Sequence, residues 1–195
     1  SNQMSENVMG LWQEMLPGKD GSLISDVVQS QYDVVYGSWP NSYDEIILVL
    51  DENNELDDMT LYAMGLIPRE EIDEIMSAAM DGDMIESSGA RWSYEEICGR
   101  EYRVILNSDC YVYDKATGLY SDLRDTEAGV RYLYDNGLKL RVTGIIRPNE
   151  DAAANMLHGS IAYTEALTEY VIKESQKSEA IKLQMQDTTT DIITG

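Results

Sequence analysis

The chain contains 195 residues, of which 36 are acidic and 14 are basic, so its formal net charge is −22. Hydrophobic residues make up 43% of the chain and charged residues 26%, a composition typical of globular proteins that fold without disulfides or structural metals. The excess of acid argues against a nucleic-acid partner and against adsorption to anionic lipid, since both depend on basic surfaces.

The first quarter of the chain predicts two helices followed by two strands. Residues 8–16 place apolar side chains at helical spacing and predict a helix that Pro17-Gly18 ends. Residues 23–29 predict a second, short helix, and residues 32–36 predict a strand. The run 46–50 is β-branched and apolar on both faces, which predicts a central strand of a sheet.

The next stretch predicts a turn and three helices. The turn is predicted at residues 51–54 and a short helix at 59–64. Pro68 predicts the start of a further helix, whose apolar residues at helical spacing form a buried stripe. Ser93 and Glu96 form a capping box, which predicts another short helix. The buried stripe of the middle helix consists of Ile72, Ile75, Met76 and Ala79.

The rest of the chain mixes strands and helices. Residues 102–106 and 111–113 predict two strands paired as a hairpin. A turn at Thr117-Gly118 follows, and then a helix over 126–134 that Asn136-Gly137 ends. This order predicts an α+β fold with a mixed sheet and helices packed on one side. The last predicted elements are a strand with one wet face at 138–146, a helix at 164–174 and a helix at 178–186.

The ends of the chain indicate a piece of a larger protein. The longest apolar run is far shorter than the ~20 residues that a membrane helix needs, and the N-terminus lacks the pattern of a signal peptide. Ser1-Asn2 is typical of the remnant of a cleaved tag. We therefore expect one domain over residues 3–195, divisible into lobes at 3–90 and 91–195.

Negative charge is concentrated between residues 44 and 86. This segment holds 14 acids and a single base, Arg69, whereas residues 91–147 are balanced at nine acids and nine bases. A solvated helical face that keeps the protein soluble is the favoured interpretation. A cationic partner for this segment stays open as an alternative.

Calcium binding by the same acidic segment is a second alternative. Carboxylate and amide side chains recur there at alternate positions, a spacing that calcium loops use. Neither run has the glycine at position six or the glutamate at position twelve of an EF-hand loop, which argues against calcium. The two runs are Asp51, Asn53 and Glu55, and Asp81 and Asp83.

Few residues are suited to catalysis or cofactor binding. The single histidine, His158, has no Gly-x-Ser-x-Gly nucleophile turn near it, which favours a structural or surface role. Neither of the common phosphate-binding glycine loops occurs in the sequence. We therefore predict no catalytic, cofactor-binding or metal-binding residues, and no cofactor.

The two cysteines, Cys98 and Cys110, carry little functional signal. No Cys-x-x-Cys motif occurs, which argues against a zinc site. If 102–106 and 111–113 pair, Cys110 faces a residue near Leu106 rather than Cys98. This geometry favours two free thiols over a disulfide.

Three segments carry a resemblance to a known family. The first, residues 32–66, contains YDVVYGSWP, YDEI, DENNE and DMTLYAMGL. The second, 144–152, reads GIIRPNEDA, and the third, 159–172, contains GSIAYT and ALTEYVI. Together they resemble the large extracytoplasmic region of FtsX-like (MacB-type) ABC transporter permeases of Gram-positive bacteria. The resemblance runs across most of residues 8–195 and is weaker between 109 and 134.

The resemblance implies a place in a membrane machine. In such transporters an ATP-binding domain accompanies a permease of four transmembrane helices, and a large extracellular α+β region, often of two subdomains, lies between the first and second helices. They are similar to exporters of peptides and antibiotics or to regulators of cell-wall enzymes. This chain has no Walker motif, so any ATPase activity belongs to the parent transporter.

The expected function is therefore that of a non-catalytic extracellular domain of a permease. It would relay conformational change or contact substrate during ATP-driven export. Its expected partners are the transmembrane and ATP-binding parts of the parent and an exported peptide or small molecule, with membrane contact only through the parent chain. The main alternative is an ectodomain that recognises peptide or glycan through its tyrosines, and a third is a secreted hydrolase with an acid pair in a cleft.

Overall fold

The computed structural model describes residues 10–82, 91–150, 152, 156–157 and 160–186, of which 178–186 are described by backbone alone. Over these residues the chain forms eight strands and six α-helices, and the predicted α+β class with a mixed sheet is confirmed. The strands are β1 (Trp12–Met15), β2 (Tyr32–Gly37), β3 (Glu45–Val49), β4 (Glu101–Val104), β5 (Tyr111–Asp114), β6 (Leu119–Asp122), β7 (Leu138–Pro148) and β8 (Ile161–Thr164). The helices are α1 (Asp26–Ser30), α2 (Asp58–Ala63), α3 (Arg69–Asp81), α4 (Tyr94–Cys98), α5 (Glu127–Asn136) and α6 (Glu165–Gln186).

The described chain forms two compact units, each built from two stretches of sequence. The first unit comprises the described parts of residues 1–100 together with Arg141–Glu165, and the second comprises Glu101–Leu140 and the described residues from Ala166 onward. This division differs from the lobes at 3–90 and 91–195 considered above, because residues 91–100 and the described residues of 141–165 belong to the first unit.

Strand β3 is the centre of the first unit. The strands lie in the order β1-β8-β3-β7-β2, so β3 pairs with β7 in parallel on one side and with β8 antiparallel on the other. All five residues of β3 are buried, which confirms the prediction of a central strand. Its one charged residue, Glu45, accepts a hydrogen bond from Arg141 Nη2 at 3.2 Å and another from the Asn41 N–H at 2.7 Å.

The edge strand β1 corrects the helix predicted over residues 8–16. Trp12–Met15 pair in parallel with β8, and Met15 is completely buried. The Trp12 ring lies 6.4 Å from the ring of Tyr163 on the neighbouring strand. Apolar spacing alone predicted a helix, whereas pairing with a strand about 150 residues away decides the structure, since tertiary context overrides local preference. Val8 lies outside the described residues.

The hydrophobic core of the first unit forms around β3, β7 and β8. Helix α1 begins at Asp26, later than predicted, because the Ser25 hydroxyl caps it by accepting the Val27 N–H. Burial raises the pKa of the Tyr32 hydroxyl, which accepts the Leu157 N–H at 2.8 Å. The buried residues of this core are Met15, Ile24, Val28, Tyr32, Ile47, Val49, Ile146, Leu157 and Ala162.

Helices α2, α3 and α4 follow the sequence predictions closely. Asp57 caps α2 by accepting the Thr60 N–H and hydroxyl, both at 2.7 Å. The Ser93–Glu96 capping box of α4 is present as predicted. The predicted stripe of α3 is narrower than expected, since Ile72 is buried, Ile75 and Met76 are half-buried, and Ala79 is exposed.

The second unit contains a hairpin that differs from the predicted one. Strand β4 pairs with β7, and β5 pairs with β6 through the turn that Thr117-Gly118 predicted. The proposed pairing of 102–106 with 111–113 is therefore wrong. A 3₁₀ turn at Asn107–Cys110, with Cys110 buried, separates β4 from β5, and the two strands pair with different neighbours.

Close backbone packing explains the end of α5. The helix ends at Gly137 as predicted, but Gly137 has φ −72 and does not use the left-handed conformation. A Cβ there would lie 2.9 Å from the Val104 carbonyl oxygen, so glycine is required by contact. The two helices predicted at 164–174 and 178–186 are one helix, α6, and the preceding strand β8 was not predicted.

Neighbouring residues of β7 are expected to respond to substitution in opposite directions. The Cβ of Gly144→Ala would lie 2.2 Å from the Ser38 carbonyl oxygen, so this variant should lower the free energy of unfolding by about 1–3 kcal/mol. The Thr143 hydroxyl is buried without a hydrogen-bond partner among the described residues, so Thr143→Val should raise the free energy of unfolding by about 1 kcal/mol. Urea unfolding checks both values, and destabilisation by Thr143→Val would contradict this assignment.

Candidate functional site

Two clefts of the first unit flank the loop that follows β3. The β3 loop, residues 51–57, leads from the buried end of the strand to helix α2. A cleft of about 1060 Å³ lies on one side of it, and a cleft of about 810 Å³ lies on the other. Leu50 and Glu55 line both of them. We call the larger one the acidic cleft and the smaller one the aromatic cleft.

The β3 loop is held in shape by its own hydrogen bonds. Asp51 Oδ1 accepts the N–H groups of Asn53 and Glu55 at 2.8 and 2.9 Å. Asn54 adopts a left-handed conformation with φ 61, and its side-chain oxygen accepts a hydrogen bond from Arg147 Nη1 at 3.0 Å. The alternate polar spacing in this loop therefore builds a closed turn, in which Asp51 is used as an acceptor for the backbone.

The acidic cleft lies where several strands meet at one edge of the sheet. Strands β3 and β7 end there, and β8 begins there because it runs antiparallel to β3. Its lining contains six carboxylates and one cation, Arg147. In the described part of the chain no group of three or more acidic, histidine or cysteine side chains is arranged to hold a metal ion. The carboxylates of the cleft are those of Asp33, Asp51, Glu52, Glu55, Asp57 and Glu150.

The aromatic cleft combines an apolar floor with a charged rim. Leu50, Ile67 and Ile97 form the buried part of its lining. Trp92 is half-buried at its side, and the exposed Tyr94 lies with its ring 5.9 Å from that of Tyr36. Apolar walls come also from Leu56 and Leu61, and the charged residues of the lining are Glu55, Asp58, Glu71 and Arg91.

Helix α4 fixes the aromatic side of this cleft. Trp92 and Tyr94 stand on either side of the helix cap Ser93, whose N–H and hydroxyl both donate to the Glu96 carboxylate. Hydrogen bonds first from the Ser93 backbone and then from its side chain lower the pKa of Glu96 below its ordinary value. The cap therefore orders the short segment that carries both rings.

The cysteines lie outside the lining of both clefts. Cys98 and Cys110 are free thiols, as the sequence favoured. Burial raises the pKa of the Cys98 thiol, and the buried Cys110 Sγ lies 3.6 Å from the Leu106 carbonyl oxygen that it faces. His158 and Asp83, the remaining residues weighed for chemistry, fall outside the described residues.

Most tyrosines of the chain are partly or largely exposed. Tyr32 alone of the thirteen is fully buried. In the second unit, Arg103 lies over the Tyr134 ring at 4.5 Å and Arg124 lies over the Tyr111 ring at 5.5 Å. Five rings are at least a third exposed, namely those of Tyr36, Tyr94, Tyr120, Tyr132 and Tyr134.

Comparison with known proteins identified no relative of this chain. No family model, curated protein or solved structure matches the chain. No helix among residues 10–82, 91–150 and 160–186 has the length and apolar character needed to cross a bilayer.

Asp51 is expected to stabilise the β3 loop as a hydrogen-bond acceptor. Asp51→Ala removes the acceptor of two backbone N–H groups and should lower the free energy of unfolding by about 1 kcal/mol. Asp51→Asn keeps an oxygen in place and should change the free energy of unfolding by less than about 0.5 kcal/mol. Glu52→Ala, at an exposed neighbouring residue, is the control and should have an equally small effect. Urea unfolding measures all three, and equal losses in the two Asp51 variants would show that charge matters instead.

The cap of α4 is expected to weaken in acid. Because the folded-state pKa of Glu96 is lowered, its contribution is complete above the unfolded pKa and is lost as pH falls through the folded pKa. Amide exchange should therefore show that protection of the Ser93 N–H is complete above about pH 4.5, the ordinary pKa of the group, and is lost as the pH falls through the lowered pKa of Glu96. Glu96→Gln should remove this dependence, whereas the adjacent control Glu95→Gln should retain it. Unchanged protection in the wild-type chain would refute the assignment.

Proposed function

We propose that the chain is the extracellular domain of an ABC transporter permease of the FtsX-like type. In this role it is a non-catalytic part that relays conformational change or contacts substrate during ATP-driven export. It would stand on the extracellular face of the cell membrane, joined to the transmembrane and ATP-binding parts of its parent. The proposal begins from the three resembling segments and gains support from where these segments lie in the fold.

One observation carries the proposal. The first resembling segment supplies β2 and β3, the second supplies the end of β7, and the third supplies β8. These four strands are neighbours in the sheet, in the order β8-β3-β7-β2. Segments separated by up to about a hundred residues therefore form one contiguous structural piece. A chance likeness in unrelated stretches would not be expected to have this property.

The packing of this piece suits a mechanical role. A strand with neighbours on both sides and side chains buried on both faces moves with its sheet rather than alone. The hydrogen-bonded β3 loop extends that rigid body to the surface. A contact made at the loop or at its two clefts would thus be passed to the sheet as a whole.

The sequence that surrounds this domain in its gene provides the first test. Apolar segments of ~20 residues should flank it, and a Walker-type ATPase should be encoded in the same chain or next to it. Finding neither feature would overturn the transporter proposal.

The isolated chain is expected to bind no nucleotide. Titration with ATP and magnesium in a calorimeter should give only the heat of dilution, because the ATP site belongs to another part of the transporter. The parent's ATP-binding domain, titrated under the same conditions, is the positive control. Saturable heat from the isolated chain would contradict the non-catalytic assignment.

A ligand-binding ectodomain is the second candidate, and the aromatic cleft favours it. The expectation from sequence was a tyrosine-rich surface for peptide or glycan. Trp92 and Tyr94 do line a cleft together with apolar residues. Saturable binding of a ligand there, in a protein whose gene encodes no transporter parts, would favour this candidate over the first.

A further inference from the structure

We propose that the aromatic cleft binds a cationic peptide segment in which an apolar side chain lies next to lysine or arginine residues. The inference rests on the second candidate function above and names the class of ligand for its cleft; its failure would leave the transporter proposal, which the flanking gene sequence tests, unaffected. It rests on the shape of the cleft, on its aromatic side and on the charge of its rim.

The floor of the cleft is suited to an apolar side chain. Leu50, Ile67 and Ile97 are 5–6% exposed, and Leu56 and Leu61 are half-buried beside them. A volume of about 810 Å³ lies within the roughly 300–1,000 Å³ of typical ligand sites. An aliphatic or aromatic side chain placed there would remove apolar surface from water on both partners.

The rim of the cleft is suited to positive charge. The lining contains one cation, Arg91, and three carboxylates, so its net charge is 1 − 3 = −2. The carboxylates are those of Glu55, Asp58 and Glu71. Among the described residues, none of the ion pairs involves these three carboxylates. A lysine or arginine from a partner would meet acceptors that internal cations have not neutralised.

The aromatic side of the cleft gives a second reason for a cation. Trp92 and Tyr94 line the same cleft as these carboxylates, and a cation over the face of such a ring is attracted by its quadrupole. Tyr94 is the first residue of α4, and Trp92 directly precedes its capping residue Ser93. Aromatic side chains held in place are the usual anchors of peptide recognition.

The charge of the whole chain supports the same occupant. An anionic ligand would approach a protein of net charge −22 against repulsion, while a cationic peptide would be drawn toward it. Charge alone would attract such a peptide to many places, so the apolar floor must supply the selectivity. The acidic cleft on the other side of the β3 loop provides the internal comparison.

Fluorescence anisotropy with labelled model peptides tests this proposal on the full chain at about 0.15 M salt. A short peptide alternating lysine and leucine should bind with saturation. The same peptide with glutamate for lysine should not bind, and the one with serine for leucine should bind at least about tenfold more weakly. Equal binding of the leucine and serine peptides, or a lack of saturation, would overturn the proposal.

Matched variants locate the binding. Trp92→Ala should weaken it about tenfold or more, and Glu71→Gln severalfold, while Glu52→Gln, which removes one charge from the acidic cleft, should change it less than about twofold. Circular dichroism establishes that each variant is folded. Because Glu71→Gln leaves the apolar floor intact, it keeps the test decisive even where Trp92→Ala lowers stability. Equal losses from Glu71→Gln and Glu52→Gln would show binding by general charge and would overturn the assignment to this cleft.

Discussion

The double burial of β3 is the constraint on which the first unit depends. Its backbone pairs on both sides and its side chains are covered on both faces. The chain can leave this position only at the edge of the sheet, where β7 also ends. Beyond that point the backbone N–H groups have no neighbouring strand to donate to. The Asp51 carboxylate accepts two of them, those of Asn53 and Glu55, within the β3 loop. The β3 loop then contributes to the walls of both clefts, and Leu50 and Glu55 line each of them.

Elements with local signals were predicted, and elements decided by distant partners were not. The run 46–50 identified β3 because both of its faces are apolar, and Ser93 with Glu96 identified α4 because a capping box is complete within four residues. Strand β1 carries a pattern that suits a helix equally well, and its partner β8 lies at the other end of the chain. The wrong hairpin has the same origin, since adjacency in sequence suggested a pairing, whereas a 3₁₀ turn at Asn107–Cys110 separates the two strands and each of them pairs with another strand.

The candidate site was harder to foresee than the fold. The aromatic cleft collects residues from the β3 loop, from α2 and α3, and from the segment that begins α4. Each contribution is ordinary by itself, and no spacing rule joins Leu56 to Trp92. One local signal was present, namely two aromatic residues, Trp92 and Tyr94, on either side of a helix cap. A ring fixed at a helix start is better placed to form a wall than a ring on a free loop.

The location of the acidic residues changes what the charge of the chain means. From sequence, the excess between residues 44 and 86 favoured a solvated helical face. That interpretation describes α3, whose Glu70, Asp73 and Glu74 are exposed. The acids of the β3 loop are exposed as well, and together with those at the helix starts beside it they line concave surfaces. Like charges that share a hollow repel one another more strongly than the same charges spread on a convex face, because low-dielectric walls focus their field. In each cleft the carboxylates outnumber the single cation of the lining, Arg147 or Arg91, so a further cation would reduce this repulsion, and only the aromatic cleft adds apolar walls that could select one cationic partner over another.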